Sequence, residues 1–135
     1  MEILQTPGRV TVVQEEHRRT RRIWLDRELP DDPQPQYYGH SVGHWDGDTL
    51  IVETMALKGE LPFSLQGTPD ISVTERIRKT DEGRILEFRV TLESEMWQTP
   101  ASFRVRYNWR PDAHLLEYAC EEYSDPFGVG YDSLR

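Results

Sequence analysis

Several things are scarce in this chain, and each scarcity removes a class of protein. There is one cysteine, Cys120, so an internal disulfide is impossible and no thiolate cluster exists for a structural metal. No apolar run approaches the roughly twenty residues of a membrane-spanning helix. The start, Met1-Glu2-Ile3-Leu4-Gln5-Thr6-Pro7, lacks the basic and apolar stretches of a signal peptide, and the sequence therefore predicts a cytoplasmic protein with no membrane partner. Basic residues are outnumbered, 16 against 24 acidic, for a formal charge of -8. Phosphate backbones are bound by clustered Lys and Arg, and the one basic run, Arg18-Arg19-Thr20-Arg21-Arg22, is short and follows Glu15-Glu16. Nucleic acid is accordingly not an expected partner.

Helical periodicity is missing as well. No segment carries a capped apolar stripe at 3.6-residue spacing, which excludes small pocket-forming folds built on an N-terminal helix pair or a long C-terminal helix. What is present is alternation with a period of two. The 135 residues suit one domain, and a composition that is 36% hydrophobic and 30% charged suits strands that give every second side chain to water.

Strands are expected at 9–15, 20–25, 41–45, 49–56, 71–79, 84–93, 101–109 and 114–120. Asp46-Gly47-Asp48 is a strong hairpin signal. Thr80-Asp81-Glu82-Gly83 and Arg110-Pro111-Asp112-Ala113 predict two more hairpins, the latter pairing 101–109 with 114–120. Two irregular stretches, 26–39 with Pro30, Pro33 and Pro35, and 57–70 with Gly59, Pro62, Gly67 and Pro69, are long enough to form the mouth of a pocket. About eight strands without a covering helix hide their apolar face by curling on themselves. The expectation is an all-β, antiparallel, lipocalin-like (calycin-like) β-barrel, a single domain over 1–135.

Gly39-His40-Ser41-Val42-Gly43 matches the G-x-S-x-G nucleophile elbow. That elbow needs a strand before the serine and a helix after it, whereas here a proline-rich loop precedes and a hairpin follows. The two glycines are better explained by a loop exit and a bend or bulge in the strand.

The longer run from Gly39 through Trp45-Asp46-Gly47-Asp48-Thr49-Leu50-Ile51-Val52-Glu53-Thr54 resembles a segment of a group of small bacterial β-rich proteins with no settled activity. The likeness extends to Gln5-Thr6-Pro7-Gly8, Thr74-Glu75-Arg76-Ile77-Arg78-Lys79 and Glu117-Tyr118-Ala119-Cys120-Glu121-Glu122, and so spans most of the chain. It implies the barrel fold and no particular chemistry. Members of the group are often histidine-rich just before the strand that starts at Ile71, where this chain has Thr68-Pro69-Asp70.

Candidate site residues come from strand phase. In Ile71, Val73, Glu75, Ile77 the third member is a carboxylate on an apolar face. One reading makes Glu75 a desolvated general acid or base; the other pairs it with an arginine such as Arg89 or Arg104. His40, at the end of the proline-rich loop beside Tyr37-Tyr38, is placed to exchange its proton. Tyr38 and Arg22 are candidates for orienting a substrate, with Trp24, Trp45, Tyr118 and Glu122 contacting it; Arg22 and Trp24 share a strand face, an arginine–indole pairing able to hold a carboxylate or enolate, and Trp45, just before the Asp46-Gly47-Asp48 turn, is expected to pack as an aromatic plug. His40 and His44, four apart across a strand start, do not define a metal site. Three functions follow: a cofactor-independent lyase, isomerase or cyclase acting on a small hydrophobic or aromatic carbonyl compound; a non-catalytic carrier of such a ligand; or an interaction module whose aromatic and acidic tail around Tyr123, Phe127 and Tyr131 docks on a second copy, as a homodimer, or on another protein.

Overall fold

The computed structural model describes residues 1–15, 19–58, 60–61, 65–66 and 70–116. Among the described residues are ten strands: β1 (Glu2–Thr6), β2 (Arg9–Val13), β3 (Thr20–Leu25), β4 (His40–Asp46), β5 (Thr49–Met55), β6 (Glu60–Leu61), β7 (Leu65–Gln66), β8 (Ser72–Thr80), β9 (Ile85–Glu93) and β10 (Ala101–Asn108). Eight of them form one sheet in the order β1-β2-β3-β4-β5-β8-β9-β10, curled into a half-barrel, while β6 and β7 make a separate two-stranded ribbon. The all-β, barrel-like architecture is therefore as the alternation predicts. Among the described residues β1 and β10 are the two edges of the curl, and no helix is long and apolar enough to cross a membrane.

The order follows the chain except at β5–β8, where the β6–β7 ribbon is set aside from the sheet. Pro7-Gly8 closes β1 onto β2, with Thr6 opposite Arg9. Gly47-Asp48 closes β4 onto β5, with Asp46 opposite Thr49 and Gly47 at a φ of 62°, the positive value a tight hairpin turn requires. Asp81–Gly83 form a short 3-10 turn between β8 and β9.

Two expectations need correction. The sheet is not antiparallel throughout: β3 and β4 are parallel, with Ile23, Trp24 and Leu25 beside Ser41, Val42 and Gly43. The 26–39 loop makes this possible, because a parallel neighbour requires a crossover of a dozen or more residues. Residues 2–6, left outside the expected strands, form β1; every one of them is exposed, so no alternation marks the strand. On its described side β10 pairs with β9, with Phe103 opposite Val90 and Tyr107 opposite Leu86; most of the segment expected to pair with it from the other side, 114–120, is not described. Residues 114–116 lie outside any strand, and 117–120 lie outside the described residues.

The register lines up one apolar face across six strands. Leu25, Gly43, Val52, Glu75, Val90 and Phe103 belong to one band of it, flanked by Val10, Ile23, Leu50, Val73, Ile77, Phe88 and Leu92. Ile23 and Val52 are fully buried, and Val73 and Val90 are 1% exposed, so the inside of the curl is packed against protein. Burial at about 25 cal/mol per Å² of apolar surface makes this face the main source of stability.

The glycines of the G-x-S-x-G match serve this packing. Gly39 has a φ of 60°, and a Cβ there would run into the Met55 carbonyl and the Leu57 side chain. A Cβ on Gly43 would come within 2.8 Å of the Ile51 carbonyl and 3.1 Å of Ile23 Cγ2. Both glycines let strand β4 and its entry lie close against β5. Gly39→Ala should cost about 1–3 kcal/mol from overpacking, in addition to the strain of a left-handed alanine. At Gly8, with a φ of 72° and open space around it, alanine should cost only the strain, about 1 kcal/mol. Urea unfolding of the two variants measures the difference.

Candidate functional site

Strand alternation sends two sets of charges to opposite faces of the same sheet. On the inner face, β3 carries Arg21 in phase with Ile23 and Leu25, and β8 carries Glu75 in phase with Val73 and Ile77. Between them lie β4, with Ser41, and β5, with Thr54 directly opposite it. The Arg21 guanidinium reaches across both. Its Nη1 donates to Glu75 Oε1 at 3.0 Å, and its Nη2 donates to Glu75 Oε2. Nη2 also donates to Thr54 Oγ1 at 2.8 Å, and Nε donates to Ser41 Oγ at 3.1 Å. The two hydroxyls share a further bond of 2.8 Å.

Glu75 is completely buried and the Arg21 side chain is 13% exposed. Both carboxylate oxygens are taken by one planar fork, the geometry of a bidentate charge-assisted pair. Glu75 does point inward, as its phase predicts, and its partner is an arginine. That arginine is Arg21 rather than Arg89 or Arg104, both of which lie on the outer face. A half-buried phenol lies on the same inner side: Tyr107, edge-on to Phe88 at 5.6 Å. Burial pushes its pKa up, and the charge of Glu75 adds to the shift.

The other residues expected at a site do not join Glu75. His40 precedes Ser41 on β4, so its side chain leaves the opposite face; its Nε2–H donates to the Gln34 carbonyl at 2.9 Å. A proton exchange between Glu75 and His40 has no geometric basis. Arg22 is exposed on the outer face beside Trp24. Trp24 stacks against Arg27 at 4.5 Å and Arg9 at 5.7 Å, so the expected arginine–indole pairing exists with different arginines. Tyr38 is half-buried and lies edge-on to Tyr37 at 6.4 Å. Trp45 is 46% exposed at the end of its strand, not a plug. Tyr118 and Glu122 lie outside the described residues, as do Tyr123, Phe127 and Tyr131.

The start of the 26–39 loop does line a groove of about 320 Å³, with Asp26, Glu28, His44 and Glu53 among its walls. The groove opens on the outer face, away from Glu75. Among the described residues no group of three His, Cys, Asp or Glu side chains is arranged to hold a metal ion.

A second charge cluster, not anticipated from the sequence, occupies the outer face of β8, β9 and β10. Pairing sets Arg78, Glu87 and Arg106 side by side across the three strands, and Arg76, Arg89 and Arg104 side by side in the next row. Glu87 lies beneath the arginines with 1% of its side chain exposed. It accepts from Arg106 Nη2 at 2.9 Å, from Arg89 Nε at 3.1 Å and from Arg78 Nη2 at 3.2 Å, and Arg104 Nη1 lies 3.7 Å away. The Arg106 hydrogen bond, opposed by burial and reinforced by Arg89 and Arg78, lowers the Glu87 carboxyl from 4.5 to about 2. The signal for this cluster was available: Arg76, Arg78, Glu87, Arg89, Arg104 and Arg106 all occupy the polar phase of their strands.

Two predictions follow from these arrangements. Removing one member of a buried ion pair strands the other, at a cost of about 3–5 kcal/mol. Glu75→Gln or Arg21→Met should therefore destabilise by that order in urea unfolding, and the double variant Arg21→Met/Glu75→Leu should recover most of the loss. For Glu87, the folded value lies below the ordinary one, so its stabilising contribution is complete above pH 4.5 and is lost as pH falls toward about 2. Unfolding midpoints measured across that window should fall less steeply for Glu87→Gln than for the unaltered chain.

No family model matches the chain, and neither a curated protein nor a solved structure does. Its function is read from the two clusters themselves.

Proposed function

We propose that the protein is a non-catalytic interaction module, in which the half-barrel is a scaffold and recognition takes place on its surface. The observation that carries this reading is the Arg21–Glu75 pair. Among the described residues Glu75 is the one carboxylate on the apolar inner face, and both of its oxygens already accept from Arg21 inside a region closed to solvent. A general base has to reach the proton it removes, within about 2.6–3.2 Å; this one is enclosed by Ser41, Thr54 and its own arginine. His40, the other half of an acid–base mechanism, is on the far face.

The packing of the interior weighs against a carrier in the same way. Ile23, Val52, Val73 and Val90 have no more than 1% of their surface free, whereas a ligand-lined wall has space beside it. The chemistry that remains accessible is outside, and it is concentrated in the arginines of β8–β10.

Native mass spectrometry of the purified full chain tests this reading. The expected spectrum shows protein mass alone, or that of an assembly, under conditions gentle enough to retain apolar ligands. A stoichiometric small molecule released on denaturation, and absent from Val52→Trp, would overturn the module in favour of the carrier.

A further inference from the structure

The arginine rows on the outer face are an unusual use of a sheet surface. Like charges directly opposite each other on neighbouring strands destabilise a sheet, yet Arg76, Arg89 and Arg104 form a continuous row across three strands. A carboxylate at 89 or 104 would relieve the repulsion. Instead, five arginines share Glu87 and, through Arg76 at 3.6 Å, Asp46, which leaves three positive charges in excess on a chain whose net charge is -8. The patch is thus no by-product of a basic protein.

Glu87 also holds these side chains in place. Each guanidinium has five N–H donors; Arg78, Arg89 and Arg106 commit only one or two of them to Glu87, Arg104 approaches it at 3.7 Å, and Arg76 faces Asp46 instead. The five arginines are between 42% and 58% exposed, so each side chain is open to solvent. Donors exceed acceptors even within the cluster, where Arg78 Nε is shut off from solvent with no hydrogen-bond partner. Arginines pre-ordered by a buried carboxylate lose less freedom on binding an oxyanion than free surface arginines do.

Resting on the module reading above, we infer that this face binds an extended acidic segment of a partner polypeptide, with carboxylates on alternate residues. The spacing favours it. Residues two apart on a strand repeat at about 6.8 Å along the backbone, and Arg76 and Arg78 on β8, like Arg104 and Arg106 on β10, are two apart on one face. A partner in extended conformation repeats its own same-side carboxylates at that distance, and each can take a bidentate fork. The footprint is two rows by three strands, about 7 by 10 Å, enough for two to four carboxylates. A long polyanion such as a nucleic acid, or an anionic bilayer, would extend past it onto a surface whose overall charge repels it.

Fluorescence anisotropy with the full chain and a labelled eight-residue peptide alternating Glu and Thr tests the inference. The peptide should bind, its Lys/Thr counterpart should not, and binding should weaken steeply as ionic strength passes about 0.15 M, where charges are screened beyond about 8 Å. Arg89→Gln and Arg104→Gln should each weaken it about tenfold, the scale of a lost charge-assisted hydrogen bond; the lysine substitutions, which keep charge but lose the fork, should give an intermediate loss. Both side chains are more than half exposed, and an unchanged urea midpoint verifies the fold of each variant. Equal binding of the Glu and Lys peptides, or full binding by the glutamine variants, would overturn the site. Tighter binding of a single-stranded DNA oligomer or of vesicles containing phosphatidylserine would overturn the occupant. A retained interior ligand would count against the module reading alone, leaving the peptide result to stand or fall separately.

Discussion

The structure depends on a charge pair that cannot be separated without loss. Arg21 and Glu75 come from β3 and β8, and between them lie β4 and β5, each of which contributes a hydroxyl to the same guanidinium. Four neighbouring strands are thereby tied at one level, including the parallel β3–β4 pair, which has no short turn to fix its register. A slip of one residue in β3 or β8 would turn Arg21 or Glu75 to the other face and leave its partner buried and alone. Apolar side chains tolerate approximate positions, whereas an ion pair inside a packed face does not. The pair contributes little to stability relative to an apolar substitute of the same shape, and its role is to make one alignment of the curl far better than its neighbours.

The two clusters use the same residue types for opposite ends. Inside, one arginine and one carboxylate meet in equal number, and two hydroxyls accept from the same guanidinium. Outside, several arginines share one buried carboxylate, and the surplus is presented to water. β9 links the two, since Glu87 and Arg89 face outward from the strand whose Phe88, Val90 and Leu92 fill the interior. The repulsion within the outer rows is affordable because the opposite side of the same strands supplies the burial that holds the sheet together.

Period-two alternation made β2 through β5, β8, β9 and β10 legible, because each has one face in the core. It failed at β1, which is exposed on both faces and gives the core no alternating side chains. It also could not reveal the parallel β3–β4 pair, since direction depends on where a long loop returns the chain and not on side-chain period. Glu75 was found by phase, and the same reasoning applied to Arg21, Ile23 and Leu25 would have found its partner. Arg21 was passed over because it sits in a run of basic residues that reads as a solvated cluster, and attention went to Arg22, its neighbour on the wrong face.

The outer arginines were missed for a different reason. Each is unremarkable within its own strand, where Arg-x-Arg in the polar phase is an ordinary solvated pattern. Their meaning comes from register, when Arg78 falls beside Glu87 and Glu87 beside Arg106, and when Arg76, Arg89 and Arg104 fall into one row. Register in a meander is set by the turns: Asp81–Gly83 fixes β8 against β9, and the connection after Glu93 fixes β9 against β10. A shift of two residues in either pairing would preserve every buried side chain's face and every propensity argument, yet would take Glu87 out from between Arg78 and Arg106. Core burial therefore specifies which residues point outward, and the turns specify which of them meet. A recognition surface on a sheet is legible only once both are known.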